Sequence, residues 1–473
     1  MPYQDSIRAW FDAHRAAMLE DIAALCRIQS DRAEPLPDMP YGEGPFRALL
    51  AGQALCEREG FATRLYDNRV CTADLSDKPA GLDILAHLDV VPAPAEKWTV
   101  CQPFEPVVKD GKIYGRGTSD DKGPAVAALY AMACVRDLHV PLARNARLIL
   151  GSDEECGSSD IEVYYAAEPE APMTFSPDAD FPLINCERGM FRPVITADYP
   201  ECTALPRVLR VDAGVKTNVV PDAATAVVEG YTPAQLQPYC DAAAQQTGAQ
   251  YLLSGDEQGL HITCKGVGGH AAHPAGANNA LTALLVLLAS LPLAASPAHD
   301  RLRAVAQLFP HGDWDGRALG IELEDEASGK LTISFTIFHY TGTHLQAEAD
   351  SRCPICAGQD NLVGQVNRVC AELGLTNQTQ DIRPPHYVPG DGPFVRTLLD
   401  CYETWTGEKG ECIAIGGGTY VHELKNGVAF GAAFPGVDNR MHGPDEFAVV
   451  EQLLTAGMIY ADAIIRLCGE AGA

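Results

Sequence analysis

The chain has 473 residues and a formal net charge of -28, from 63 acidic and 35 basic residues. Its length exceeds that of an average domain, so two or more domains are expected. The acidic balance argues against nucleic acid and anionic membranes as partners, because both attract basic surfaces.

The N-terminal segment predicts an amphipathic helix. It lacks the basic region and uninterrupted apolar stretch of a secretory signal. Its apolar residues recur at helical spacing, at Ile7, Trp10, Phe11, Met18, Ile22 and Leu25. The most apolar stretch, 281–295, is shorter than the roughly 20 residues that span a bilayer and contains Pro292, which favours a buried helix. We therefore expect a cytoplasmic protein.

From about residue 80, short apolar runs alternate with a helical pattern. The runs GLDILAHLDVVP and ARLILGSDEE predict strands, and AVAALYAMACVRDL between them predicts a helix. We expect an α/β domain with a mixed, mostly parallel sheet flanked by helices. Ligands of such sheets bind beyond the carboxyl ends of the strands.

After Glu187 the pattern changes to alternating strands and a long helix, which indicates an inserted α+β domain. The predicted strands are MFRPVITA, RVLRVDA, TAVVEG and GLHITCKG. The last part contains a predicted helix over 392–406 and a glycine-rich turn at 416–418. The last part also contains His442. The other candidate metal-site residues all lie in the first part: His87, Asp89, Asp120, Asp121, Asp153, Glu154, Glu155 and Asp178. Because His442 has to rejoin them, we expect the first domain to be discontinuous. The predicted boundaries are 1–188 and 385–473 for that domain, and 189–384 for the insert.

The sixteen cysteines, in a chain without a secretory signal, predict reduced thiols packed as small hydrophobic residues. Cys353 and Cys356 have the spacing of a redox pair or of half a zinc knuckle. No second CxxC motif lies nearby, so packed thiols are favoured here as well.

His87 and Asp89 follow the first predicted strand. Two positions apart on a strand, they share a face, so the carboxylate can hold the second nitrogen of a metal-binding imidazole. A single histidine after a strand is more often structural, and this pair alone does not decide.

Two acidic clusters strengthen the case for a metal site. Asp120 and Asp121 precede the predicted helix, where the alternative is an acidic helix cap. Asp153, Glu154 and Glu155 follow the next strand. Converging carboxylates raise one another's pKa unless a cation neutralises them, and one carboxylate bridging two metals would do so. A two-metal hydrolase also needs a base that is not a ligand, which Glu154 or Glu155 could supply.

Two residues of the insert add candidates for substrate binding. His270, in GGHAAHP, is either a turn histidine or a donor to the oxyanion of a tetrahedral intermediate. Arg352 could bind a substrate carboxylate.

Together the motifs resemble the aminoacylase and carboxypeptidase-G group of dizinc metallopeptidases, and within it the bacterial PepV-type dipeptidases. They are, in chain order, AHLDVVP, YGRGTSDDKGP, SDEECGS, SPDADFP, ERG, KTNVVPD, GGHAAHP, IGGGTY and MHGPDE, and the similarity runs from roughly residue 10 to 465. The resemblance implies a zinc-peptidase-like catalytic domain with an inserted lid.

The resemblance also implies a set of metal ligands for two Zn²⁺ ions per chain, with Mn²⁺ or Co²⁺ as possible substitutes. One ion would be held by His87, Asp120 and Asp178, and the other by Asp120, Glu155 and His442. Asp120 would bridge the two ions. Asp89 would orient His87, and Glu154 would be the general base that activates the water and then protonates the leaving amine.

For the lid, the resemblance implies His270 as the oxyanion donor, Asn218 as a substrate contact and Arg352 as the partner of the substrate's terminal carboxylate. The same pocket would be lined by Gly417, Gly418 and Thr419. Three departures from the family pattern concern substrate preference: Val267 in place of a frequent lysine, the additional His273, and the Cys353 to Cys356 motif directly after Arg352.

The resulting hypothesis is a metal-dependent dipeptidase that cleaves dipeptides or very short peptides with a water activated by two metals. One alternative is an N-acyl amino acid deacylase of the same family, which removes acetyl or succinyl groups. A non-catalytic peptide-binding relative is less expected, because every position of the ligand set is occupied. By analogy with the PepV branch, the enlarged lid implies a monomer.

Overall fold

The computed structural model describes residues 3–257 and 259–470. Its contacts divide the chain into two compact units. The discontinuous unit comprises Met1–Cys186 and His386–Ala473, and the inserted unit comprises Glu187–Pro385. The boundaries expected from the sequence, after 188 and after 384, lie within two residues of these.

The helices are numbered in chain order. They are α1 Gln4–Cys26, α2 Glu43–Arg58, α3 Lys122–Asp137, α4 Ser159–Ala167, α5 Pro233–Thr247, α6 Ala280–Ser290, α7 Pro297–Leu308, α8 Gln365–Glu372, α9 Pro393–Thr406 and α10 Val450–Cys468. Shorter helical turns lie at Ala95–Lys97, Glu154–Cys156, Pro274–Gly276, Gln359–Gly364 and Tyr420–Glu423.

The strands before the insert are β1 Ala62–Tyr66, β2 Val70–Asp74, β3 Ala80–His87, β4 Val107–Lys109, β5 Lys112–Tyr114, β6 Asn145–Gly151, β7 Met173–Ser176, β8 Ala179–Asp180 and β9 Leu183–Glu187. Those of the insert are β10 Gly189–Phe191, β11 Val194–Asp198, β12 Arg207–Ala213, β13 Val219–Val220, β14 Ala223–Glu229, β15 Gln250–Asp256, β16 Gly259–Lys265, β17 Gly269–His270, β18 Glu324–Asp325, β19 Gly329–Lys330, β20 Thr332–Tyr340, β21 His344–Cys353 and β22 Thr376–Asn377. The last are β23 His386–Tyr387, β24 Cys412–Ile415, β25 Gly427–Ala429, β26 Ala432–Ala433 and β27 Phe447–Val449.

The discontinuous unit is built on a mixed sheet with the strand order β1-β2-β6-β3-β7-β25-β9-β23, and β24 also pairs with β9. The four central strands, β6, β3, β7 and β25, are parallel, whereas β1, β2 and β9 pair antiparallel with their neighbours. The expected mixed sheet flanked by helices is therefore confirmed, and its parallel part is the centre.

Helices cover this sheet because its central strands are apolar along their length. All but the first residue of β3 is buried, the pattern of a strand that is covered on both faces. Helices α1, α3 and α10 pack against one another, and α3 is buried from Lys122 to Val135. The N-terminal helix predicted from its apolar spacing is α1, which buries Ile7, Phe11 and Ile22.

The parallel centre places three chain segments at one edge of the sheet. His87 is the last residue of β3, Asp153 follows closely after β6, and Asp178 follows closely after β7. Since β6, β3 and β7 are neighbours, the polar residues at their carboxyl ends are brought together.

The inserted unit is an α+β domain, as expected. Its main sheet has the order β15-β16-β14-β12-β20-β21-β11-β22, and β10 also pairs with β21. The segment MFRPVITA was expected to form one strand, but it divides into β10 and β11 around Arg192 and Pro193. Proline has no backbone N–H to give to the ladder, which explains the break. The predicted buried helix in 281–295 is α6, whose N-terminus is capped by the Asn279 side chain.

In the described part of the chain, none of the helices combines the length and apolar character required to cross a bilayer.

Candidate active site

His87 stands at the centre of the candidate site in the discontinuous unit. Its side chain is fully buried, and its Nε2 atom lies 3.1 Å from Oδ1 of Asp120 and 3.5 Å from Oδ2 of Asp178. Asp120 comes from the loop before α3, and Asp178 follows β7. Three of the predicted metal ligands therefore meet around one imidazole nitrogen.

The second group of predicted ligands forms around His442. Its Nε2 atom lies 2.9 Å from Oδ2 of Asp120 and 3.3 Å from Oε2 of Glu155. The two oxygens of Asp120 thus face different histidines, which is the arrangement of a carboxylate that bridges two cations. The structure brings together all five residues for which the resemblance implied metal binding.

The side chains fit a divalent cation pair. Nε2 of His87 lies close to the carboxylates of Asp120 and Asp178, but none of the described residues meets it in hydrogen-bond geometry. Oε1 of Glu155 is likewise buried without a hydrogen-bond partner among the described residues, so both atoms are available to coordinate a metal. Two groups of side chains could each hold a cation, because the ligand atoms within each group all lie within 4.8 Å of one another. One group is His87, Glu154 and Asp178, and the other is His87, Asp120 and Glu155. Imidazole and carboxylate donors suit zinc and also manganese.

The electrostatics of the two histidines reflect an excess of negative charge. Hydrogen bonds to Asp120 and Glu155 raise the pKa of His442 to about 10. Burial lowers the pKa of His87, but the carboxylates of Asp120 and Asp178 outweigh this effect and raise it well above its usual value. The carboxylates that raise the pKa of each histidine would also attract a metal cation.

The carboxylates show the corresponding repulsion. Burial, followed by the charge of Asp178, raises the pKa of Glu154 well above its usual value. Burial and the charge of Asp120 also raise the pKa of Asp178. Asp120 itself is the exception, because the two imidazoles outweigh burial and hold its pKa well below its usual value. Two divalent cations would relieve this repulsion.

Asp89 fixes the turn that carries the two glutamates. Its Oδ1 accepts a hydrogen bond from the backbone N–H of Glu154 at 3.2 Å, and its Oδ2 accepts one from Glu155 at 3.1 Å. Nδ1 of His87 lies 3.0 Å from the backbone oxygen of Asp89 and 3.4 Å from Oδ1. The carboxylate thus contacts both the predicted ligand and the glutamate pair.

The glutamates and the preceding aspartate take different positions. Glu155 contacts His442, whereas Glu154 belongs to the group with His87 and Asp178. Asp153 is bonded instead to Ser159, through both the backbone N–H and the hydroxyl, and to Arg32. Its role is to hold the start of α4, so only two of the three clustered carboxylates face the site.

Sequence analysis missed the role of Tyr420, which directly follows the predicted Thr419. The Tyr420 ring stands edge-on to the His87 ring, with centroids 6.1 Å apart and an interplanar angle of 87°. Its hydroxyl donates a 2.6 Å hydrogen bond to Oδ2 of Asp160, which also accepts the backbone N–H groups of Ser152 and Asp153. No periodic pattern in the sequence indicates such a contact.

The other predicted residues of this segment are Gly417, Gly418 and Thr419. Gly417 and Gly418 are exposed, and an added Cβ at Gly417 would meet open space. The Thr419 hydroxyl accepts the backbone N–H of Val421 and caps the short helix Tyr420–Glu423. Their substrate contacts stay a prediction.

In the inserted unit, strand pairing brings Asn218 next to His270. Val219 of β13 pairs with His270 of β17, and the backbone oxygen of Asn218 accepts the N–H of Ala271 at 2.9 Å. Nδ1 of His270 accepts the N–H of Ala272 at 3.2 Å, so a neutral ring carries its proton on Nε2. Burial, with the nearby charge of Arg352, lowers the pKa of His270 and favours that neutral form.

Arg352 is buried and is held by the fully buried Asp350. Its Nε donates to Oδ1 of Asp350 at 2.8 Å, and its Nη2 donates to Oδ2 at 3.2 Å. Arg192 donates to the same carboxylate at 2.9 Å. The guanidinium of the predicted clamp residue is therefore fixed within its own unit, at a distance where its charge acts on His270.

Three residues or motifs of the insert depart from the family pattern: Val267, His273 and the motif from Cys353 to Cys356. All sixteen cysteines are free thiols. Cys353 is buried, which agrees with the packed-thiol interpretation, but Cys356 is exposed and does not. Val267 is exposed, and the His273 ring lies 6.1 Å from the His270 ring.

Comparison with known proteins gives a consistent family. The profile of peptidase family M20/M25/M40 matches residues 84–466. The putative dipeptidase YtjP of Bacillus subtilis is 35% identical over 458 residues, covering 95% of this chain and 97% of the relative. The Beta-Ala-Xaa dipeptidase of Lactobacillus delbrueckii subsp. lactis is 31% identical over 461 residues, covering 96% and 97%.

Solved structures share the fold. Human carnosine dipeptidase 1 superimposes with a TM-score of 0.59 at 15% identity, over 98% of both chains. The aminoacylhistidine dipeptidase of Vibrio alginolyticus gives a TM-score of 0.60 at 13% identity, over 96% of this chain and 97% of the other.

Proposed function

Because the chain belongs to peptidase family M20/M25/M40, we propose that it is a metal-dependent dipeptidase, which hydrolyses the peptide bond of dipeptides or very short peptides. This membership confirms the family that the motifs predicted. The relatives support a metallopeptidase of the dipeptidase branch of that family. The observation that carries the proposal is the position of Asp120, whose two oxygens face His87 and His442.

Two zinc ions per chain are part of this proposal, with manganese or cobalt as substitutes. One would be held by His87, Asp120 and Asp178, and the other by Asp120, Glu155 and His442. When bound, the pair would polarise the scissile carbonyl and lower the pKa of the attacking water.

We assign the general base to Glu154. Its burial beside Asp178 raises the pKa of its carboxyl, which suits a group that takes a proton from the attacking water and returns it to the leaving amine. Asp89 supports this role because it fixes the backbone of Glu154 and Glu155. Glu155, in contact with His442, is then the ligand.

The proposed roles in the inserted unit follow from its chemistry. Neutral His270, with its proton on Nε2, would donate a hydrogen bond to the developing oxyanion, and Asn218 beside it would contact the substrate. Arg352, fixed by Asp350, would bind the free carboxylate of the peptide. A clamp for the free carboxylate next to a site that must also seat the free amine would limit the substrate to short peptides.

The experiment is a panel of unmodified dipeptides, their C-terminal amides and N-acyl amino acids, tested with metal-free protein and with zinc, manganese or cobalt added. We expect metal-dependent hydrolysis of dipeptides with a free carboxylate. Preferential release of acetate or succinate from N-acyl amino acids would instead make the protein a deacylase. Binding without hydrolysis under every metal would indicate a non-catalytic relative.

A cytoplasmic location, the monomeric state and the absence of nucleic-acid and membrane partners stay predictions. Sedimentation of the purified protein tests the monomeric state directly.

A further inference from the structure

Glu446 lies four residues after His442, where the chain enters β27, and its side chain is fully buried. Its Oε1 atom accepts three backbone N–H groups, from Gly117 at 3.1 Å, Ser119 at 3.0 Å and Asp120 at 3.3 Å. A single carboxylate oxygen of Glu446 therefore binds three backbone N–H groups of the loop that carries Asp120, the proposed bridging ligand.

The second oxygen of Glu446 is bonded to the guanidinium of Arg116, which is also buried. Arg116 donates a further hydrogen bond to the backbone oxygen of Gly443, one residue after His442. Burial raises the pKa of Glu446 to about 7, and Arg116 opposes this shift. Both terminal nitrogens of Arg116 are bonded, whereas its buried Nε has no hydrogen-bond partner among the described residues. Removing either member of a buried pair is costly, because the other charge is then left buried without compensation.

The loop that Glu446 holds has little freedom of its own. Gly117 has a φ of +89°, and a Cβ on Gly123 would lie 2.0 Å from the backbone oxygen of Thr118. Such close packing limits the backbone conformations of the loop that carries Asp120. The C-terminal segment thus supplies one ligand, His442, and also the support for the ligand shared by both proposed ions.

The adjacent Asp445 shows that this arrangement is specific to Glu446. Its carboxylate accepts the backbone N–H groups of Thr99 and Val100 and the Thr99 hydroxyl. Of the two neighbouring carboxylates, Glu446 is the one bonded to the Asp120 loop.

We propose that Glu446, together with Arg116, is a positioning residue that sets the Asp120 carboxylate between the two cations. This inference rests on the proposed two-metal site. Both carboxylate oxygens of Glu446 are bonded to protein groups, so Glu446 would act on Asp120 through the backbone of its loop. Residues that orient metal ligands in this way typically change metal affinity about 10- to 100-fold when they are replaced.

The test variant is Glu446→Gln. A glutamine has one acceptor oxygen and one donor nitrogen, so its nitrogen must face either the guanidinium of Arg116 or the three N–H groups of the loop, and one set of bonds is lost. Glu446→Asp is the second variant. It keeps the charge but is one methylene shorter, so it cannot reach both partners at their present distances.

The matched control is Asp462→Asn on α10. Asp462 is another buried carboxylate of the same unit, bonded to Arg466 through both oxygens at 2.9 Å and to Nε1 of Trp405 at 3.1 Å. Its removal also breaks a buried carboxylate–arginine pair, but none of its named partners is a predicted ligand. This control therefore measures how much the loss of a carboxylate–arginine pair lowers stability when no predicted metal ligand is involved.

All proteins are compared at pH 8 by zinc titration against a competing chelator, by electron paramagnetic resonance of the manganese-loaded form, and by urea unfolding without metal. We expect Glu446→Gln to weaken binding of at least one ion about 10- to 100-fold and to alter the magnetic coupling between two manganese ions. Glu446→Asp should show the same changes in smaller degree. Asp462→Asn should lower stability but keep wild-type affinity and coupling.

Wild-type affinity and coupling in both Glu446 variants would overturn the positioning role. So would equal losses of affinity in Glu446→Gln and Asp462→Asn, because the effect would then be a general consequence of destabilisation. If the wild-type protein binds fewer than two ions, the proposed two-metal function fails, and this inference fails with it. The first two results leave the two-metal function standing, so the failures are distinguishable.

Discussion

Oδ2 of Asp120 and Nε2 of His442 lie 2.9 Å apart, although the whole inserted unit separates the two residues in the sequence. The site is therefore assembled only when the two parts of the discontinuous unit fold together.

Replacing Glu154 by Gln should leave metal content unchanged and reduce turnover about 100- to 10,000-fold, because the isosteric amide cannot accept the proton of the attacking water. Metal analysis and kcat on the same metal-loaded sample measure both quantities. Asp153→Asn is the control, since Asp153 is bonded to Ser159 and Arg32, and it should keep kcat. Wild-type turnover in metal-loaded Glu154→Gln would refute the assigned base.

Tyr420→Phe should lower the free energy of unfolding by about 1.5 to 3 kcal/mol, the usual value of a hydrogen bond to a charged group. The variant removes the 2.6 Å bond to Asp160 but keeps the ring against His87. Urea unfolding at pH 8, above the pKa of about 6 to which burial raises Asp160, measures the change. Tyr165→Phe removes a longer bond of 3.4 Å to Asp83 and should cost less; equal costs would argue against this role of Tyr420.

The imidazole of His270 should titrate below its usual pKa, because burial and the charge of Arg352 both disfavour the protonated ring. Arg352→Gln removes a positive charge and leaves Asp350 nearby, so the pKa of His270 should rise. Proton NMR of the ring, assigned with His270→Gln, follows the midpoint with pH. The same midpoint with and without Arg352 would show that its charge does not act on His270.

Arg352→Gln should also reduce kcat/KM for dipeptides with a free carboxylate about 10- to 100-fold, in line with the loss of one charge-assisted hydrogen bond. Their C-terminal amides should be much less affected. Arg192→Gln is a matched control, because Arg192 donates to the same Asp350 but is partly exposed. Equal losses for acids and amides would exclude Arg352 as the carboxylate partner.

The sequence predicted the parts of the site that follow from regular structure. His87, Glu154 and Asp178 come at or soon after the ends of β3, β6 and β7, and neighbouring parallel strands bring such residues to one edge. The motif resemblance then assigned His442 to one of the two ions, although no local pattern connects it to the other ligands.

The residues that sequence analysis missed lie where the backbone is irregular. In the turn after His442, neither spacing nor hydropathy indicates that Glu446 faces the Asp120 loop while Asp445 faces Thr99. Tyr420 likewise depends on packing between distant segments, since its partner Asp160 belongs to another part of the unit. Pro193 marks the break between β10 and β11, but the alternation of apolar residues around it favours a single strand in the sequence.

The most direct test of the two-metal site is anomalous diffraction at the zinc edge from crystals of the zinc-loaded protein. We predict two peaks per chain on either side of the Asp120 carboxylate, one within bonding distance of Nε2 of His87 and the other within bonding distance of Nε2 of His442. A fully loaded crystal with a single peak, or with peaks away from Asp120, would contradict the account.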